Sequence, residues 1–174
     1  MIAESRDTSL AHYARTMAKL TETAFLAQIS CPVLVESARV EVGAGGPSSF
    51  RTEYLDESDV SSRILPPDRR EVLLLKKRVG AAFSGHISIG RTPNLDLCIA
   101  RTGVSKFHAY ILEADGGYQI TDKDSTNGTF VDGVRLSAGG TMKLRDGAEV
   151  RFATHSFMFM LPGSFLKMLR SVSG

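Results

Sequence analysis

The chain has 174 residues, which fits one domain with extensions or at most two small domains and is too short for a large multidomain enzyme. Hydrophobic residues make up 43% and charged residues 23%, so neither wholesale disorder nor a fibrous repeat fits. The 21 Lys and Arg against 19 Asp and Glu leave a formal charge of +2, too little for a protein whose main partner is a nucleic-acid backbone. An anion would have to be met by local placement of charge.

Over residues 8–28, Leu10, Tyr13, Met17, Leu20, Ala24 and Phe25 recur at steps of three and four, which predicts a single amphipathic helix. Pro32 ends or follows it, and residues 32–35 and 39–42 read as short extended pieces. Together they form an N-terminal helical extension over 1–42. It is expected to fold back on the rest of the molecule and close a sheet edge, because Phe25, Leu26, Cys31, Val33 and Leu34 look like core residues. Residues 43–71, rich in Gly, Pro, Ser and charge, read as a flexible linker.

Residues 72–162 change texture to short β-type runs at the spacing of an all-β sandwich. The runs cover 72–77, 86–89, 96–99, 107–113, 118–121, 129–131, 134–136, 142–144, 149–152 and 155–161. Between them, Gly116-Gly117, Asn127-Gly128, Asp132-Gly133, Gly139-Gly140 and Asp146-Gly147 supply residues suited to tight turns. In the tail, 163–174, Phe165, Leu166, Met168 and Leu169 fall near one side of a short C-terminal helix.

Cys31 and Cys98 have no ligand spacing, and His12, His86, His108 and His155 are scattered, so neither a disulfide framework nor a metal site is expected. Residues 1–7 lack an apolar signal segment, and apolar runs such as 157–161 are too short to span a bilayer, which gives a cytoplasmic reading. Ser164-Phe-Leu-Lys167 lacks the companion motifs of a penicillin-binding serine, and no nucleotide-binding lysine motif occurs. No enzyme and no cofactor is expected.

Three polar clusters stand on predicted loops: Gly90-Arg91 after a strand, Ser105-Lys106-Phe107-His108 before another, and Asp122-Lys-Asp-Ser-Thr-Asn-Gly-Thr129 running to Asp132-Gly133. In this order and spacing, with Pro93-Asn94-Leu95-Asp96 after the first, the sequence resembles the forkhead-associated (FHA) domain family. The resemblance covers residues 72–162. It implies a mainly β, FHA-like sandwich of about eleven strands, flanked here by the N-terminal α-helix and the short C-terminal helix. It also implies phosphothreonine-peptide binding through loops at one end, without enzymatic activity, nucleic acid or membrane. The partner would be a phosphothreonine-containing protein, such as a serine/threonine kinase or its substrate, with this chain as an adaptor.

The residue types suit that task. A phosphothreonine carries about −1.5 to −2 charge and three strong acceptor oxygens, so a few well-aimed donors suffice. Arg91 offers a forked guanidinium, Ser105 a hydroxyl and Lys106 a second cation. Asn127 can donate to and accept from an extended peptide backbone. By resemblance, Thr126 shapes the same surface, while Gly90, His108 and Gly128 hold the loops. His108 beside Ser105 has a catalytic look, but three residues along a strand put the two side chains on opposite faces. In the family, a basic residue two positions before the serine helps select the third residue after the phosphothreonine. Gly103 occupies that position here, with Arg101 close by. Thr21, Thr23 and Thr52 are candidate phosphorylation sites for a contact in cis or between molecules. The alternatives are a phospho-independent assembly protein on the same sandwich, as in secretion-apparatus relatives, and an enzyme such as a phosphatase.

Overall fold

A computed structural model describes residues 8–37, 66, 69–81 and 83–173. The predicted 39–42 strand, Thr52 and most of the 43–71 linker lie outside them.

The single helix expected over residues 8–28 is two. Helix α1 spans Leu10–Met17 behind Ser9, whose hydroxyl accepts the His12 N–H at 3.2 Å. Helix α2 spans Glu22–Gln28 behind Thr21, whose hydroxyl accepts the Ala24 N–H at 3.3 Å. Thr21 has extended dihedrals and satisfies an N–H that the first turn leaves open, with Glu22 placed favourably at the positive end. This start signal lies inside the three-four pattern and divides it.

All ten runs expected between 72 and 162 are strands, and an eleventh, β1 (Val33–Glu36), precedes them. The others are β2 (Val72–Leu74), β3 (Ile87–Gly90), β4 (Leu97–Cys98), β5 (Ala109–Ala114), β6 (Gly117–Asp122), β7 (Thr129–Val131), β8 (Val134–Arg135), β9 (Thr141–Leu144), β10 (Glu149–Phe152) and β11 (His155–Met160). One sheet has the order β2-β1-β11-β10-β7-β8 and the other β4-β3-β5-β6-β9. The β3–β4 pair is parallel, and the other registered pairs are antiparallel. The mainly β, eleven-strand expectation is met.

The boundaries read from sequence shift at one point. β1, assigned to the 1–42 extension, pairs with β2 on one side and β11 on the other, so it lies inside the six-stranded sheet rather than along its edge. Its three valine and leucine residues are all buried because both faces of the sheet are covered there. Leu34 faces the sandwich core with Ile89, Ile111, Ile120, Val150, Phe152, Phe157 and Phe159. Val33 and Val35 face a second core with Val72, Met160 and the helices.

That second core is a helical layer. Helix α3 (Pro162–Ser173) buries Phe165, Leu166 and Leu169 against Leu10, Tyr13, Phe25 and Ile29. The Phe165 ring lies 5.7 Å from Tyr13 and 6.3 Å from Phe25, centroid to centroid. Arg170 and Glu22 close the outer side at 2.9 Å. The layer leaves the β3–β4, β4–β5 and β6–β7 loops, where the three polar clusters fall, to meet one another. No described helix is long and apolar enough to cross a membrane.

Candidate functional site

Gly90 ends β3 at a position where no other residue fits. A Cβ there would stand 2.4 Å from the Lys106 carbonyl oxygen and 2.9 Å from Leu95. This close approach sets the first loop against the second. The Arg91 N–H then donates to the Ser105 carbonyl at 2.9 Å, and the Thr92 hydroxyl donates to the Lys106 carbonyl at 2.9 Å. The backbone around Arg91 is fixed, while its side chain is exposed.

His108 is fully buried and joins the other two loops. Its Nδ1 accepts the Ser105 N–H at 3.0 Å, and its Nε2 lies 3.1 Å from the Gly128 carbonyl, to which it donates when Nδ1 accepts. This defines a neutral ring. Burial pushes its pKa below the ordinary value, against the opposing pull of the Gly128 carbonyl and the Asp122 charge. Ser105 and His108 make no side-chain pair, so the histidine holds backbone rather than activating the hydroxyl.

The third loop is built on Asp122. Its carboxylate accepts the Ser125 N–H at 3.0 Å, the Ser125 hydroxyl at 2.6 Å and the Thr129 hydroxyl at 2.6 Å. Burial alone would raise this carboxyl, but the three hydrogen bonds to its charged form prevail and lower it. The Ser125 hydroxyl then accepts the Gly128 N–H at 3.1 Å. Gly128 itself has φ +85°, and a Cβ on it would meet the Arg135 side chain at 2.7 Å. Across the gap, the Thr126 N–H donates to Ser105 Oγ at 3.1 Å, and Asn127 Nδ2 donates to the Gly103 carbonyl at 2.8 Å.

These ties bring Arg91, Ser105, Lys106, Thr126 and Asn127 to the wall of one open groove of about 660 Å³. Gly90, His108 and Gly128 stand behind them in the loop framework. Lys106, Thr126 and Asn127 are exposed and Ser105 is half-buried. One donor of Asn127 is already committed to Gly103, leaving its second N–H and its oxygen for other contacts.

Thr102, Phe107 and Asp124 also line the groove, and sequence reasoning missed them. Asp124, with φ 52°, brings a negative charge to a wall otherwise carrying Arg91 and Lys106. Phe107 stacks on Phe83 with ring centroids 4.7 Å apart. A smaller depression of about 440 Å³ continues from Thr102, Gly103 and Asn127 to Arg151 and His155. Arg101 is absent from both linings because Glu36 and Glu71 hold its guanidinium. Among the described residues, no group of three or more His, Cys, Asp or Glu could hold a metal ion.

Residues 87–153 match the family model of the FHA domain, and this part of the chain is an FHA domain. Over 89 residues the chain is 36% identical to the ABC transporter ATP-binding/permease protein Rv1747 of Mycobacterium tuberculosis, covering 51% of this chain and 10% of the relative. It is 27% identical over 126 residues to the oxoglutarate dehydrogenase inhibitor of Corynebacterium diphtheriae, covering 65% of this chain and 86% of that one. Among solved structures, it is similar to Mycobacterium tuberculosis EmbR in complex with a low-affinity phosphopeptide. The TM-score is 0.45 and the identity 21%, over 84% of this chain and 30% of that one. The first of these relatives is about ten times as long as the part the chain spans.

Proposed function

We propose that this chain is a phosphothreonine-dependent protein–protein interaction module, acting as an adaptor in serine/threonine-kinase signalling. One observation carries the reading: Arg91, Ser105, Lys106, Thr126 and Asn127, drawn from three separate loops, line a single groove within an FHA domain. The groove is open enough for an extended peptide, and the loops that carry its donors are tied across the gap by Thr126 to Ser105 and by Asn127 to the Gly103 carbonyl.

In this reading the Arg91 fork and the Lys106 ammonium meet the phosphate oxygens, and the Ser105 hydroxyl adds a third donor. Ser105 Oγ accepts the Thr126 N–H at 3.1 Å and donates only a long hydrogen bond, 3.5 Å, to Thr126 Oγ1, which its proton would exchange for a phosphate oxygen. The uncommitted N–H and the oxygen of Asn127 hold the peptide backbone in register. The helical layer is a structural extension, and the partner is a phosphothreonine-containing protein, a kinase or a kinase substrate.

Titration with a phosphothreonine peptide library and its unphosphorylated counterpart tests this. The expected outcome is binding only of phosphorylated members. Equal binding of both sets would overturn it in favour of a phospho-independent assembly role, and turnover of a phosphoester would overturn it in favour of an enzyme.

A further inference from the structure

Arg101 stands at the root of the β4–β5 loop, four residues before Ser105 and outside the groove lining. Its Nη1 pairs with Glu36 Oε1, and its Nη2 lies 3.1 Å from Glu71 Oε2. Glu36 is the last residue of β1, and Glu71 immediately precedes β2. The two acidic residues also bind each other's backbone. The Glu71 N–H donates to Glu36 Oε2 at 3.1 Å, and the Glu36 N–H donates to the Glu71 carbonyl at 2.8 Å. The guanidinium lies 5.7 Å from the centre of the Phe157 ring, on a strand shared by both cores.

Each residue beyond Arg101 in this loop is tied in turn. The Thr102 carbonyl lies 3.0 Å from His155 Nε2, and the Gly103 carbonyl accepts Asn127 Nδ2 at 2.8 Å. Val104 is buried, with its N–H 3.3 Å from the Arg101 carbonyl, and the Ser105 N–H donates to His108. The loop carrying Ser105 and anchoring Asn127 is fixed at its far end by His108 and at its root by the Arg101 guanidinium, beside the backbone bond from the Arg101 N–H to the Ile99 carbonyl at 2.8 Å. The root clamp reaches to the strands that flank the 37–70 segment.

We propose that Arg101 is a positioning residue of the groove, setting the 102–105 loop against Arg91 by locking it to Glu36 and Glu71 at the ends of β1 and β2. This rests on the phosphothreonine reading of the same site. It removes Arg101 as a direct selector of an acidic ligand residue, because two carboxylates already hold it.

The test uses the full chain, each variant shown to be folded by circular dichroism at the working temperature, with a phosphothreonine peptide from the library as probe. Arg101→Met keeps most of the side-chain stem and removes the fork; it should weaken binding by about tenfold. Arg101→Lys keeps the charge but loses the two-pronged geometry, and should recover only part of that loss. The deciding variant is the double change Glu36→Gln with Glu71→Gln. It removes two negative charges close to the loop, so a purely electrostatic influence would tighten phosphate binding. Positioning instead predicts weaker binding, by about threefold or more. Hydrogen exchange at the Val104 and Ser105 amides should quicken in Arg101→Met with or without peptide. If Arg101→Met fails to fold, the lysine and double-glutamine variants and their exchange rates decide. Wild-type affinity in Arg101→Met or in the double variant, or unchanged exchange at these two amides, overturns the proposal. A wild-type chain that ignores phosphorylation overturns the functional reading instead, and the exchange measurement still tests the clamp.

Discussion

At the loop end of the sandwich, Gly90, His108 and Gly128 join three loops through directional contacts, each made by one residue that nothing else replaces. In the helical layer, Leu10, Phe25, Phe165 and Leu169 fill space between helices and sheet by area, with no buried charge pair among them. Both regions are packed against the same sheet system, yet they tolerate damage differently. Losing apolar volume in the layer lowers stability without redirecting any donor. Losing a loop contact moves a donor while leaving most of the core intact.

The largest expected effect breaks the layer alone. Phe165→Ala should cost about 3–5 kcal/mol of folding stability. Urea unfolding should show this, while the remaining folded fraction keeps wild-type peptide affinity. His108→Ala should damage both sides of the comparison. It orphans the Ser105 N–H and the Gly128 carbonyl at about 1–3 kcal/mol each, and peptide titration of the folded fraction should also weaken.

Acid should separate the two regions next. Asp96 is buried and accepts from Lys77 Nζ at 2.6 Å, from the Ser88 N–H at 2.9 Å and hydroxyl at 2.6 Å, and from the Arg78 N–H at 2.9 Å. Burial would raise its carboxyl, but these donors hold it at about 2 against an ordinary 3.8. A depressed carboxyl stabilises the fold fully above its ordinary value and loses that contribution as pH falls toward its folded value. About 2 kcal/mol should therefore disappear between roughly pH 4 and pH 2. Unfolding curves across that window should show the slope, and Asp96→Asn should flatten it. The smallest effect belongs to Lys106→Ala, an exposed cation on the groove rim, which should weaken peptide binding by less than about fivefold with no change in stability.

The same contrast decides what the sequence could reveal. Arg91, Ser105 and Asn127 could be grouped in advance because the family resemblance attaches to particular residue types in a fixed order, and the structure lines one groove with them. The sandwich strands were legible because turn dipeptides punctuate them. β1 was recognised as an extended piece, but its place between β2 and β11 depends on partners that no local pattern names. The break before α2 was hidden because Thr21 caps a helix inside an unbroken apolar period. In the sequence Arg101 stands out only as a basic residue close to Gly103. Its partners lie 65 and 30 residues earlier in the chain, so only the fold brings them to it.

The central claim is that a phosphate captured by the loop donors, rather than general surface contact, drives binding. Calorimetric titration of one library-selected phosphothreonine peptide into the wild type and into Arg91→Ala tests it most directly. Arg91 should contribute about 1.5–3 kcal/mol, so the substitution is expected to weaken binding by at least about tenfold with an unchanged melting temperature. The dephosphorylated peptide should not bind either protein. Equal affinity of the wild type and Arg91→Ala for the phosphorylated peptide would contradict the account.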